Sequence, residues 1–159
     1  MKTLLVMRHA KSDWDADYSR DHDRPLNERG VKSARAMGET LAAEGLVPGL
    51  VITSTAVRAR TTAELAAHAG NWDTEIELDP RLYGSGVDTA IEVAADAPDV
   101  DRLMLVGHQP TWSSLVSVLS GQRVEMKTAT VAVVEFDAWP AVETPSGRLV
   151  AVYQPRDYI

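Results

Sequence analysis

With 159 residues, 45% hydrophobic and 25% charged, the chain is long enough for one ordinary domain with its own core. It contains no cysteine, which excludes disulfides, thiolate nucleophiles and thiolate metal sites. A formal net charge of −7 argues against sequence-independent nucleic-acid binding, which needs a basic face. The opening MKTLLVM begins as a signal peptide does, but Arg8 and His9 cut the apolar run short. No segment approaches the roughly 20 apolar residues of a membrane span. A cytoplasmic protein without a membrane or nucleic-acid partner is expected.

Residues 3–7, TLLVM, read as a buried strand ending at Arg8 and His9. After a polar loop, residues 27–46 place Val31, Ala34, Met37, Leu41 and Ala42 at helical spacing, with Asn27 as cap and Gly45 at the end. Residues 49–54, GLVITS, read as a second buried strand, followed by a helix that Gly70 stops. His68 near that helix end suits a C-terminal capping role. Then come a short strand in TEIELDPRLY, a helix in VDTAIEVAADAP, and a third strong strand over residues 102–108, RLMLVGH. A helix over residues 110–121 has Pro110 in its first turn and Gly121 past its end. TATVAVVEFD and GRLVAVYQP complete the chain as strands, joined by a loop short enough for an antiparallel pair. There are no repeats or linkers, so residues 1–159 read as a single domain. Strands alternating with helices imply a three-layer α/β/α fold, its sheet mainly parallel with an antiparallel edge.

Ligands of open α/β sheets bind at the carboxyl ends of the strands. Arg8 and His9 follow the first strong strand, Ser54, Thr55 and then Arg58 the second, and Gly107, His108 and Gln109 the third. One histidine or arginine at a strand end is ordinary; Arg8, His9, Arg58 and His108 at the same edge form an oxyanion site. Arginine offers a charged, planar fork to phosphate, and histidine can attack phosphorus. Neither GxxxxGK[ST] nor GxGxxG occurs.

The run LLVMRHA resembles the opening of the histidine phosphatase superfamily, also called phosphoglycerate mutase-like, where an apolar strand enters Arg-His-Gly. STAVRARTT resembles its second motif, Ser-Pro-x-x-Arg-Ala-x-x-Thr, and LMLVGHQP its third. DRPLNERG resembles the Arg-Pro-Leu-Thr-x-x-Gly segment of small members. The short length, RLYG, and MKTATVAVVEF near the end point to the branch typified by the phosphohistidine phosphatase SixA. The resemblance implies a phosphoglycerate mutase-like fold, His9 as phosphate acceptor, Arg8 and Arg58 as phosphate clamps, and His108 as the second active-site histidine. It also directs Arg24 toward the phosphate, against the alternative of a loop arginine paired with Asp21 or Asp23. No metal or cofactor is implied.

Three departures stand out. Ala10 replaces the family's Gly, which would strain a left-handed backbone there. Thr55 replaces Pro, a change expected to alter only loop stiffness. Gly84 stands where larger members carry a general-acid glutamate, so no acid transfers by motif. Asp13, Asp15, Asp21 and Asp23 are the loop carboxylates within reach, each with a solvated, inactive role as its default.

A missing acid suits a phosphoramidate, whose imidazole leaving group protonates readily, better than an ester, whose alkoxide leaves poorly. A short chain without roofing insertions suits a phosphorylated protein, such as a histidine phosphotransfer domain, although a small phosphorylated molecule would enter too. Alternatives are a phosphomonoesterase of small metabolites, a phosphate-binding module without turnover, and a mutase. A serine hydrolase on Ser54 and His108 lacks the G-x-S-x-G elbow. A metal site at Asp21–His22–Asp23 yields to a solvated acidic loop. Core or rim packing is the default for Trp14, Trp72, Trp112 and Trp139, with a place at the mouth as the alternative for Trp14 and Trp112, which follow site motifs.

Overall fold

The computed structural model describes residues 1–137 and 146–158. Its elements are β1 (Lys2–Arg8), α1 (Glu28–Ala43), β2 (Leu50–Thr53), α2 (Val57–Ala69), β3 (Glu75–Leu78), α3 (Val87–Asp96), β4 (Arg102–Gly107), α4 (Thr111–Ser120), β5 (Val131–Phe136) and β6 (Arg148–Tyr153). Short 3₁₀ turns occur at Asp21–Asp23, Pro80–Leu82 and Pro155–Asp157. The expected strands and helices are all present, in order. Residues 138–145 of the loop between the last two strands, Trp139 among them, lie outside the described residues.

The sheet runs β3-β2-β4-β1-β5-β6. The first four strands are parallel; β5 is antiparallel to β1, and β6 to β5. This is the parallel sheet with an antiparallel edge that the alternation of elements implied. Because helices cover both faces, the central strands are continuous apolar runs rather than alternating ones. Leu4, Val6, Leu103 and Leu105 pack with Val93, Leu115 and Val116 of α3 and α4. Their neighbours Leu5, Met7, Met104 and Val106 pack with Ala34, Met37, Ala63 and Ala66 of α1 and α2. Successive strand residues point to opposite faces, so each strand feeds both layers.

Asn27 caps α1 by accepting from the backbone N–H of Gly30. Gly121 ends α4 in the left-handed conformation. α2 stops at Gly70 as expected, with φ −86° there, and Asn71, at φ 54°, takes the left-handed turn. Gly70 is required for space instead. A Cβ there would lie 2.4 Å from both the Gly38 carbonyl oxygen and the Trp72 indole nitrogen. His68 lies in the last turn of α2. Among the described residues, no helix is long and apolar enough to cross a membrane.

Register positions the functional edge. Arg8 lies opposite Gly107 across β1 and β4, and Thr53 opposite Val106 across β2 and β4. His9 and His108 therefore leave the sheet at one level, and Ser54 one residue earlier, level with Gly107. The backbone continues the ladder for one more step: His9 N–H donates to Gly107 O at 3.0 Å and Ser54 N–H to Val106 O at 3.0 Å.

Candidate active site

At that edge a cleft of about 720 Å³ opens. Arg8, His9, Arg24, Arg58 and His108, the residues singled out in the sequence, all line it. Lys11 and Arg29 add two more cations, and Asp21 is the one carboxylate of the lining. In a chain of net charge −7, five cations against one anion make this a local attractor for an anion.

His9 is 7% exposed. Its Nδ1 lies 2.7 Å from the carbonyl oxygen of Ala10. A carbonyl can only accept, so Nδ1 carries the proton and Nε2 keeps a free lone pair. Burial pushes the imidazole pKa down to about 3; the Ala10 hydrogen bond opposes this, while His108, Arg58 and Arg8 reinforce it. The ring is therefore neutral near neutral pH, as a nucleophile must be.

Arg8 donates from Nη1 to the Met126 carbonyl at 3.0 Å. Arg58, one turn into α2, donates from Nη1 to the Asp21 carbonyl at 2.8 Å and from Nη2 to Asp21 Oδ2 at 3.0 Å. The Nε atoms of Arg8 and Arg58 are both buried without a hydrogen-bond partner among the described residues. Buried donors seldom remain unpaired, so these two await an acceptor.

His108 extends from the end of β4, its ring centroid 5.2 Å from that of His9. Its Nε2 shares a 2.8 Å hydrogen bond with Ser54 Oγ, which also accepts from the Ala56 backbone N–H. Burial, then the Arg58 charge, lower the His108 pKa to about 4 against a smaller pull upward from Asp21. Ser54 is fully buried. It is placed to orient His108, not to act as the nucleophile of a serine hydrolase.

Arg24 pairs with Asp21 at the wall of the cleft. It lines the cleft at 4% exposure, and its Nη2 pairs with Asp21 Oδ1 at 3.1 Å. Nη1 donates to Ser12 Oγ, and the guanidinium lies 3.5 Å from the centroid of the Trp14 ring. Trp14, 70% exposed, stands at the mouth. Trp112 does not. It is 1% exposed and packs on Gly107, where a Cβ would come within 2.5 Å of its ring. The α4 helix thus turns this tryptophan under the sheet edge.

The loop of Asp21–Asp23 is not the solvated acidic stretch expected. Asp21 bridges Arg24 and Arg58 and accepts from the Tyr83 hydroxyl at 3.2 Å. Burial raises its carboxyl pKa, but the Arg24 and Tyr83 hydrogen bonds and the Arg58 charge outweigh this and hold it below the ordinary range. His22 Nε2 shares a 2.9 Å hydrogen bond with Thr55 Oγ1, so Thr55 anchors the loop as well as replacing a proline. Among the described residues no three His, Asp or Glu side chains are grouped to hold a metal ion.

Ala10 is not in the left-handed region, so the strain expected there is absent. It falls on Ala129, at φ 58°, whose backbone N–H donates to His9 O at 3.1 Å. A left-handed alanine costs about 1–2 kcal/mol, spent here beside the central histidine. Ala10 N–H donates to Thr62 Oγ1 at 2.9 Å, and that hydroxyl donates to Arg58 O at 2.7 Å. Thr62 thereby ties the His9 loop to the Arg58 helix. Thr62 and Tyr83 carry no role in the sequence reading, and Ser54 appears there only as a candidate hydrolase nucleophile. Ser54 and Thr62 nevertheless stand inside STAVRARTT, and Tyr83 inside RLYG.

Comparison with known proteins agrees with this geometry. Residues 4–85 match the profile of the histidine phosphatase superfamily (branch 1). An uncharacterized chloroplastic protein of Arabidopsis thaliana is 30% identical over 84% of the chain, which spans 66% of that protein's length. An uncharacterized protein of Mycobacterium tuberculosis is 38% identical over 163 residues, covering 94% of this chain and all of the relative. Among solved structures, a protein of Agrobacterium tumefaciens provisionally designated phosphohistidine phosphatase SixA superposes with a TM-score of 0.84. It is 28% identical and covers 97% of this chain, with 98% of its own length matched. The fold is phosphoglycerate mutase-like, and the chain belongs to the histidine phosphatase superfamily, in its SixA-like branch.

Proposed function

We propose that this chain is a metal-independent phosphatase that removes the phosphoryl group from phosphohistidine on a protein. The observation that carries the reading is His9 itself: neutral, with Nδ1 locked to Ala10 O and its other nitrogen unencumbered in a cleft of five cations. In this mechanism His9 Nε2 attacks phosphorus as the phosphorus–nitrogen bond to the substrate imidazole breaks. The leaving nitrogen takes a proton from solvent. Water then attacks the phosphohistidine enzyme, releasing inorganic phosphate and returning His9. Arg8 and Arg58 offer their unpaired Nε donors to the phosphoryl oxygens, with Arg24 and His108 at the same anion. Positioning and charge stabilisation dominate such transfers, and arginines supply both.

The leaving-group argument supports a phosphoramidate over an ester. Gly84 lines the cleft where a motif acid would stand, and Asp21, the carboxylate present, is held ionised and so is a poor proton donor. The test is a trapped intermediate. Brief exposure to labelled phosphohistidine peptide should leave acid-labile, base-stable phosphate on the chain, and His9→Ala should leave none. Label retained by His9→Ala rules out His9 as acceptor. Faster turnover of sugar phosphates than of phosphohistidine peptide rules out the substrate class.

A further inference from the structure

Beside the cleft lies a second cavity, of about 180 Å³, bounded in part by Arg29, Lys127, Thr128, Thr130, Gln154 and Arg156. Arg29 and Thr128 also line the cleft, so the two spaces share a wall. Thr130 is fully buried, yet its hydroxyl has no hydrogen-bond partner among the described residues, and neither has Gln154 Oε1. An unpaired buried polar group costs about 1–3 kcal/mol, so a cavity lined by two of them is suited to a polar guest. Three cations surround them. Arg156 reaches Asp157 only at 4.0 Å, and no ion pair involves Arg29 or Lys127 among the described residues. Glu28 lines a neighbouring depression with Arg29, Lys32 and Arg156. The charge balance selects an anion. The Thr130 hydroxyl can donate to it, and the Gln154 amide can present its NH₂ after a half-turn of the side chain.

We infer that this cavity receives a second anionic group of the substrate, a carboxylate or a phosphate, while the phosphoryl group to be removed occupies the cleft. The inference rests on the phosphatase reading above. With a protein substrate the group is an Asp or Glu side chain near the phosphohistidine; with a small molecule it is a second phosphate or a carboxylate.

The experiment compares kcat/KM for three substrate sets. They are phosphoramidate, phosphohistidine peptides with Glu or Gln at each position from four before to four after the histidine, and a sugar monophosphate with its bisphosphate. Each is measured with wild type, Lys127→Ala/Arg156→Ala and Thr130→Val. Lys127 and Arg156 do not line the cleft, so phosphoramidate turnover should stay within about twofold. Wild type should prefer Glu over Gln at one or more positions by about five- to tenfold, in KM, the scale of one or two partly screened ion pairs. The double variant should lose that preference, and Thr130→Val should reduce it about twofold. Turnover without any preference for a second anionic group overturns the inference and leaves the phosphatase reading standing. So does an equal loss in the double variant on phosphoramidate and on acidic substrates. Preference for the bisphosphate alone supports the cavity's role and overturns the protein-substrate reading. No turnover of any substrate overturns both.

Discussion

The layer between α1 and α2 and the cleft at the sheet's carboxyl edge are held by different physics. Between the helices, Ala34, Gly38, Ala63 and Ala66 are buried and bring the backbones together; a Cβ on Gly38 would lie 2.0 Å from Ala66 O. In the cleft, Arg24 and Arg58 are as well buried, but what holds them is one carboxylate, Asp21, that reaches both. Volume decides what the first region tolerates. In the second, charge and hydrogen-bond partners decide it.

Gly38→Val tests that contrast most severely. The helices would have to separate, at a cost of about 3 kcal/mol or more in urea unfolding. A loss under about 1 kcal/mol would mean the layer yields easily. Acid sensitivity should arise at the other end. His9 and His108 have folded pKa values of about 3 and about 4, below the ordinary 6.5. Between those values and 6.5 the unfolded chain binds more protons, so stability falls as pH drops from 6.5 and levels off below about 3. The ceiling is about 1.4 kcal/mol per pH unit for each histidine. At half that slope the pair contributes about 2 kcal/mol between pH 6.5 and 5. A His9→Gln/His108→Gln protein should show a correspondingly flatter pH–stability curve; an unchanged acid limb would assign the sensitivity to other groups.

Asp21→Asn removes the anion that competes with phosphate for Arg58 and Arg24 while keeping an acceptor in place. Vanadate or tungstate should bind about three- to tenfold more tightly by calorimetry. Weaker binding would show that the carboxylate's main task is to orient the arginines. The smallest effect is expected from Ala10→Gly. Ala10 is fully buried with no left-handed backbone to relieve, so the family's glycine should cost up to about 1 kcal/mol in stability and leave turnover within about twofold. A gain in turnover would instead put the alanine methyl in the path of the phosphate.

Much of the site was legible because the strong strands are unambiguous apolar runs. Once Arg8, His9, Arg58 and His108 are known to follow strands of one parallel sheet, their convergence is a matter of topology. Asp21 was misjudged because three acidic or basic residues in a polar loop look solvated until the loop's partner is known. That partner, Arg58, is 37 positions away. For Trp112 the sequence left two places open, because its position in the chain locates the helix start but not the side of the sheet it turns beneath.

The order and type of the elements, the two-sided burial of the sheet and the gathering of cations at its carboxyl edge were determined by the sequence itself, because periodicity and strand ends are local properties. The tertiary structure alone decided which group each polar atom meets: Asp21 between two arginines, Ser54 on His108, Thr62 on Ala10, and backbone strain at Ala129 and not at Ala10. Hydrogen bonds and ion pairs act over about 3 Å, and segments far apart in the chain reach that distance only when the sheet's register brings them there.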